Sequence, residues 1–196
     1  MLPLTEKERK ALLILFKDFT NYYNANSISK ILGISHVGAQ KIFKRLYNNN
    51  IVTSKKIGKS IIYKLNLDND YASRLIAFLL IEEADNFKRW KDEFKQLFKK
   101  NRIMLMFGSA IKDYSKARDI DIMAVIDKKD VKEVGNILKE KQKILPKNIH
   151  AIKLTHNDML KNIKNKNKAM VDIIKNAIVI YGQDRYVGIM KNVTSF

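Results

Sequence analysis

The feature that most constrains this chain is the stretch Met104-Leu105-Met106-Phe107-Gly108-Ser109, followed after nine intervening residues by Asp119-Ile120-Asp121-Ile122. The apolar run predicts a buried strand and Gly-Ser a tight turn. Asp-x-Asp predicts two carboxylates on one face of a second strand, because residues two apart on a strand point the same way. Such a pair suits Mg²⁺, a hard cation that takes carboxylate and phosphate oxygens together. Gly108 lets a phosphate approach the backbone with no Cβ in the way, and the Ser109 hydroxyl can donate to a phosphate oxygen. Neither half of the pattern is informative alone. Its weight comes from the spacing and from both strands being apolar, Ile103–Phe107 in one and Ile120, Ile122, Ala124, Val125 and Ile126 in the other. The plain alternative is a buried strand, an ordinary turn and two surface acids.

Gly-Ser-x9-Asp-x-Asp on neighbouring strands resembles the signature of the polymerase-β-like minimal nucleotidyltransferases. The resemblance covers residues 101–196 and implies an α/β domain with a mixed sheet. The order of the later elements agrees: Val131–Lys143 is helix-like, Ile149–Leu154 a strand, Asn167–Asn176 a helix, and Ala177–Tyr181 a short strand ending at Gly182. Enzymes of this family join a nucleoside triphosphate to a hydroxyl, with metal ions bridging the phosphates. The resemblance therefore implies Gly108 and Ser109 as the nucleotide-binding turn, Asp119 and Asp121 as catalytic metal ligands, and Mg²⁺ with an NTP, ATP by expectation, as cofactor.

The chain also departs from that pattern. After Gly-Ser the family usually shows a second Gly, but here the sequence reads Ala110-Ile111-Lys112-Asp113, and Arg118 stands before the first Asp where Ser is common. A third carboxylate is expected on the next strand as ligand or general base. Asn148-Ile149-His150-Ala151-Ile152-Lys153-Leu154 has none. His150 is a candidate for that role, with simple accommodation on the strand as the alternative. Asp158 suits the first turn of a helix, and Asp127 and Asp130 read as solvated turn residues. Lys161, Lys164, Lys166 and Lys168 are either a phosphate-embracing cluster or a solvated loop.

Charge enters where partners are concerned. The formal net charge is +18, and it is uneven: twelve Lys and Arg face five Asp and Glu over residues 1–70, seven face five over 71–100, and nineteen face ten over 101–196. Basic chains gather polyanions, nucleic acid above all, although a Lys-rich soluble surface gives the same totals. The N-terminal third decides how that charge is laid out. Thr5-x-x-Glu8 is a capping box. Leu12, Leu15, Phe16 and Phe19 form a buried helical stripe. Ser27–Leu32 reads as a short second helix stopped by Gly33, and Ser35 caps a third. On that third helix Ala39, Ile42, Phe43 and Leu46 share one face. Val37, Gln40, Lys41 and Lys44 share the opposite one, flanked by His36 and Arg45. Ile51–Lys56 and Ser60–Leu65, split around Ile57-Gly58-Lys59, predict a hairpin with a basic tip.

Helix, helix–turn–helix and basic hairpin over about residues 5–67 resemble the winged helix-turn-helix domains of prokaryotic transcription regulators. The most family-like stretches are Ile31-Leu32-Gly33-Ile34-Ser35, Ile51-Val52 and Tyr63-Lys64-Leu65. The resemblance implies double-stranded DNA as partner, bound through Ser35, His36, Gln40, Lys41, Lys44, Arg45 and the hairpin's Lys55, Lys56 and Lys59. A helical domain used only for protein contacts is the alternative. From Tyr71 to about Lys100 no Gly or Pro interrupts the chain, which predicts one long helix with Leu80, Ala84, Phe87, Phe94 and Phe98 on a stripe, Trp90 and Leu97 beside it. Packing within the chain and helix-to-helix homodimerisation both account for that stripe.

The reading is an α+β chain: a winged helix-turn-helix domain (1–67), a connecting helix (68–100) and a nucleotidyltransferase-like domain (101–196). With no Cys, disulfides and thiolate sites are excluded. The longest apolar run, Leu75–Ile81, falls short of the ~20 residues a membrane span needs, so the expected location is cytoplasmic, with no membrane partner. Two functions follow: a DNA-binding regulator whose second domain binds Mg-NTP with chemistry weak or lost, or an active nucleotidyltransferase passing AMP to a hydroxyl of nucleic acid or of a partner protein, as antitoxin-type members do.

Overall fold

The computed structural model describes residues 3–194. It is α+β, and its contacts group into two compact units: the chain up to Leu79 together with the end from Met190, and Leu80–Ile189.

The first unit begins with α1 (Glu6–Lys17). The Thr5 hydroxyl accepts from the Glu8 N–H at 3.2 Å while the Glu8 carboxylate accepts from the Thr5 N–H at 2.8 Å, the reciprocal cap expected there. Leu12, Leu15, Phe16 and Phe19 are all buried. Helix α2 (Ala25–Leu32) starts two residues earlier than expected, because Asn24 caps it, accepting from the Ser27 N–H at 2.8 Å. It stops at Gly33, whose φ of +63° is the left-handed conformation that glycine adopts without a Cβ clash. The Lys7 ammonium then takes the freed Leu32 carbonyl at 2.7 Å. Ser35 caps α3 (His36–Asn48) by accepting from the Gly38 N–H at 3.0 Å. Ala39, Phe43 and Leu46 of α3 are fully buried.

Strands β1 (Val52–Ile57) and β2 (Ser60–Leu65) pair antiparallel, with Ile57 opposite Ser60 across the Gly58-Lys59 turn. The hairpin is anchored from beneath. The Tyr63 N–H donates to the Tyr23 carbonyl at 2.8 Å, and the Tyr63 ring stacks on Phe43 with centroids 4.1 Å apart.

The helix expected over residues 71–100 is corrected in its extent. Helix α4 runs from Asp70 to Asp85 and α5 from Lys88 to Phe94, followed by a 3₁₀ turn at Lys95–Leu97. Asp85 and Asn86 are weak helix formers. The Asn86 amide donates back to the Glu82 carbonyl at 3.3 Å, and the Phe87 N–H closes a tight turn on Ala84. The bend brings Ala84, Trp90, Phe94 and Leu97 into the second unit's core, with Phe87 and Phe98 packed against it. The aromatic stripe is therefore packed within the chain.

The second unit carries a four-stranded mixed sheet in the order β5-β4-β3-β6. Strand β3 (Ile103–Phe107) pairs antiparallel with β4 (Asp119–Val125) and with β6 (Ile178–Tyr181), and β4 pairs parallel with β5 (Asn148–Leu154). The crossover between β4 and β5 is α6 (Val131–Ile144). Helices α7 (His156–Lys164) and α8 (Lys168–Asn176) precede β6, and α9 (Gln183–Thr194) follows it. Asp158 sits in the first turn of α7, where it completes a capping box with Thr155. Met104, Met106, Ile120, Ile122, Ala124 and Ile126 alternate along β3 and β4 to line one core with Val134 and Leu138 of α6. Arg102, 1 % exposed, lies at the head of β3 and donates to Glu133 at 2.7 Å and to the Leu97 carbonyl at 3.4 Å, with Asp130 at 3.3 Å. Asp130, expected to be a solvated turn residue, ends the 3₁₀ turn Lys128–Asp130 with its side chain 20% exposed and paired to Arg102.

Candidate functional site

In the first unit the surface of interest is built by α3 and the hairpin. Because α3 buries Ala39, Phe43 and Leu46, its 3.6-residue period turns His36, Val37, Gln40, Lys41 and Lys44 outward, and all five are exposed. Lys55, Lys56 and Lys59 are exposed on the hairpin. Between the two elements runs a groove of about 310 Å³ lined by Asn24, Asn26, His36, Gln40, Lys59 and Ile61 among others. Asn24, Asn26 and Ile61 carried no sequence signal for this position, since only the packing of α2 against α3 and the hairpin brings them here.

Two of the expected DNA-binding side chains are engaged inside the unit. The Ser35 hydroxyl accepts from Gly38 as the α3 cap. Arg45 turns away from the outward face: it donates to Glu8 at 3.2 Å and to the Pro3 carbonyl at 2.8 Å. Glu8 is 2 % exposed, so Arg45 supplies the countercharge that a buried carboxylate requires. The outward face therefore presents Lys rather than Arg.

In the second unit the strand pairing brings the remaining candidates together. Asp119 and Asp121 share one face of β4. The parallel register sets Asn148 opposite Asp119 and His150 opposite Asp121, so His150 lies on the same face. Its Nδ1 is 3.8 Å from Asp119 Oδ2 and 3.7 Å from Asp121 Oδ1. Phe107 is the register partner of Asp121 across β3, which carries the next residue, Gly108, under the Asp121 carboxylate. A Cβ built on Gly108 would stand 2.0 Å from Asp121 Oδ2, and its φ is +77°. Both facts require glycine there. Burial pushes the Asp121 carboxyl above its ordinary value, His150 draws it down, and Asp119 pushes it up again.

The loop from Gly108 to Asp119 is held by residues with no sequence cue. The Lys147 ammonium donates to the carbonyls of Tyr114 and Ala117 and lies 4.5 Å from the Tyr114 ring centroid. The Arg89 guanidinium is 3.8 Å from that centroid. Asp113 accepts from the Ser115 N–H and hydroxyl. Ala110 and Ala117 are buried, which anchors the loop near both ends. Ser109 is exposed at its start.

Chemically, two carboxylates on one face beside a glycine turn fit a hard divalent cation, because Mg²⁺ keeps several waters and needs only one or two protein carboxylates. No group of three or more His, Asp or Glu side chains among the described residues is placed to cage a metal ion. Lys161, Lys164, Lys166 and Lys168 are exposed along α7, the turn after it and the start of α8. No helix among the described residues is long and apolar enough to cross a membrane.

No family model matches the chain, and no curated protein does. Among solved structures it is similar to two variants of ZitR from Lactococcus lactis. One has 16% identity and a TM-score of 0.37, covering 47% of this chain and 64% of that one. The other has 13% identity and a TM-score of 0.34, covering 74% and 77%. The chain thus spans less than two thirds of the first structure, and likenesses this loose carry no weight for fold or function.

Proposed function

We propose that this chain is a DNA-binding regulator whose α/β unit binds a Mg²⁺–nucleoside triphosphate. The observation that carries the first part is the exposed face of α3, with Gln40, Lys41 and Lys44 beside the lysines of the β1–β2 hairpin and a groove between them. A helix with exposed polar and basic side chains fits the major groove, and neighbouring lysines neutralise phosphates. Titrating a fluorescent duplex with the full chain tests this. Binding that weakens steeply with salt is expected, and no binding at low salt would sink the proposal. A homodimer belongs to the same reading, because paired half-sites call for paired helices.

The nucleotide part rests on Gly108, Asp119 and Asp121 meeting at one place. Asp119 and Asp121 would hold the ion, whose contribution is to offset phosphate charge. Ser109 and the Gly108 backbone would face the phosphates. With no third carboxylate, transfer chemistry is expected to be slow, since loss of a general base typically costs ~10²–10⁴ in rate. The second reading is an active nucleotidyltransferase passing AMP to a nucleic-acid or partner-protein hydroxyl. His150, 3.7 Å from Asp121, is what favours it, as the group standing where a base is needed. Calorimetry with ATP and Mg²⁺ decides whether the site exists: binding abolished by Asp119→Ala with Asp121→Ala is expected, and absence of binding to the unmodified protein would leave the unit a structural or partner-binding role. Robust transfer that depends on both aspartates and on His150 would make the second reading the correct one.

A further inference from the structure

We infer that the N-terminal half of α3 reads A·T base pairs, Val37 packing on a thymine methyl and Gln40 hydrogen-bonding an adenine; this rests on the duplex-binding reading above. The side chains free to reach a base edge decide the matter. Recognition helices contact base edges with their N-terminal residues, and here those are His36, Val37, Gln40 and Lys41, all exposed. The side chains that accept from cytosine are Asp and Glu, and α3, HVGAQKIFKRLYN, contains neither. Arg and Lys are the bidentate readers of guanine; the one Arg of α3 is held at Glu8 and the Pro3 carbonyl, which leaves the exposed Lys41 and Lys44 as the guanine-capable side chains of its outward face. Ser35 accepts from the Gly38 N–H.

Val37 and Gln40 are the two matched to A·T. Gln pairs bidentately with adenine N6 and N7, and an apolar side chain meets the thymine methyl. Val37 is 58% exposed and points away from Ala39, Phe43 and Leu46, in the middle of the polar face. An isolated exposed valine is ordinary. Its weight here comes from its position, three residues before Gln40, since i and i+3 are neighbours on one face and so meet adjacent base pairs. Lys41 and Lys44, on the same side, have the reach and charge for flanking phosphates or for a guanine beside the A·T pairs.

The test is selection of bound duplexes from a library with a randomised centre, using the full chain, followed by sequencing. Adjacent A·T pairs should dominate two positions of the selected site. Gln40→Ala should relax one of them, with a loss of tenfold or more against the selected site. A second measurement needs no change to the protein: replacing thymine by uracil at the other position removes only the methyl, and should weaken binding about fourfold. Val37→Ala should lose most of that sensitivity. Selection of G·C pairs or no preference at these positions, or indifference to uracil with Val37 in place, would overturn the inference while leaving duplex binding intact. Failure to select any duplex would overturn both.

Discussion

The two units treat charge in opposite ways. The first buries carboxylates and shows its cations. Glu8 and Asp18 are 2% and 5% exposed, satisfied by Arg45 and by Asn21 and Tyr23, while the lysines of α3 and the hairpin face solvent. The second buries a cation, Arg102 at 1%, draws Asp130 and Glu133 to it, and leaves Asp119 and Asp121 together at a half-exposed edge. What a unit leaves facing solvent is what it can offer a ligand: the first presents the lysines of α3 and the hairpin, and the second presents Asp119 and Asp121 on a surface that also carries Lys161, Lys164, Lys166 and Lys168. A net charge of +18 conceals this, because the sum says nothing about which sign each unit has turned inward.

The largest expected effect separates the two buried charges. Arg102→Ala empties a fully buried site and leaves the Leu97 carbonyl without its donor, while Asp130 and Glu133, 20% and 40% exposed, can rehydrate; the cavity should cost about 2–5 kcal/mol in denaturant unfolding. Glu8→Ala removes a cap and frees Arg45, whose side chain is 36% exposed and can rehydrate, so about 1–2 kcal/mol is expected. Equal losses would break the contrast.

Next come the paired glycines. Gly108→Ala meets both a φ of +77° and Asp121 Oδ2 at 2.0 Å, and should cost about 2–3 kcal/mol while displacing that carboxylate. Gly33→Ala has φ +63° but nothing within 4 Å, so only the backbone cost of about 1 kcal/mol applies. Thermal melts of the two variants give the comparison directly, and an equal shift would mean that Asp121 yields easily.

The smallest effect is confined to alkaline pH. Burial, with Asp18 alongside, pushes the Tyr23 phenol up to about 12 from its ordinary 10. A raised acid stabilises the fold in its protonated form, so this contribution is complete below about pH 10 and is lost as pH rises through about 12. Tyr23→Phe should flatten the pH dependence of unfolding in that window and leave its slope at neutral pH unchanged. An unaltered alkaline slope would remove Tyr23 from the account.

Much of this was legible locally. The Thr5/Glu8 capping box, the Gly33 stop, the Ser35 cap and the stripe from Leu12 to Phe19 are short-range patterns, and each forms as its spacing predicts. The carboxylates' shared face follows from the strand period, and their nearness to Gly108 from the antiparallel pairing. What was not legible depends on register or on distant partners. Nothing in β5 alone says that its parallel pairing sets His150 against Asp121, since a one-residue slip would turn it to the other face. Arg45 looks like a DNA-binding residue on its helix and becomes a brace only because Glu8 is buried 37 residues away in sequence. The break at Asn86 escaped because a run without Gly or Pro reads as continuous helix, whereas the core's demand for Trp90 and Phe94 decides where the chain bends.

The central claim is that duplex binding belongs to the cations of α3 and the hairpin rather than to the chain's positive charge at large. The direct measurement is the slope of log K against log[salt] for a DNA duplex, compared between two variants that each lose three charges: Lys41→Gln, Lys44→Gln and Lys59→Gln, against Lys161→Gln, Lys164→Gln and Lys168→Gln. The first set should flatten the slope by roughly three units, about one for each phosphate no longer neutralised, and the second should leave it unchanged. A slope that falls equally in both, or only in the second, would contradict the account.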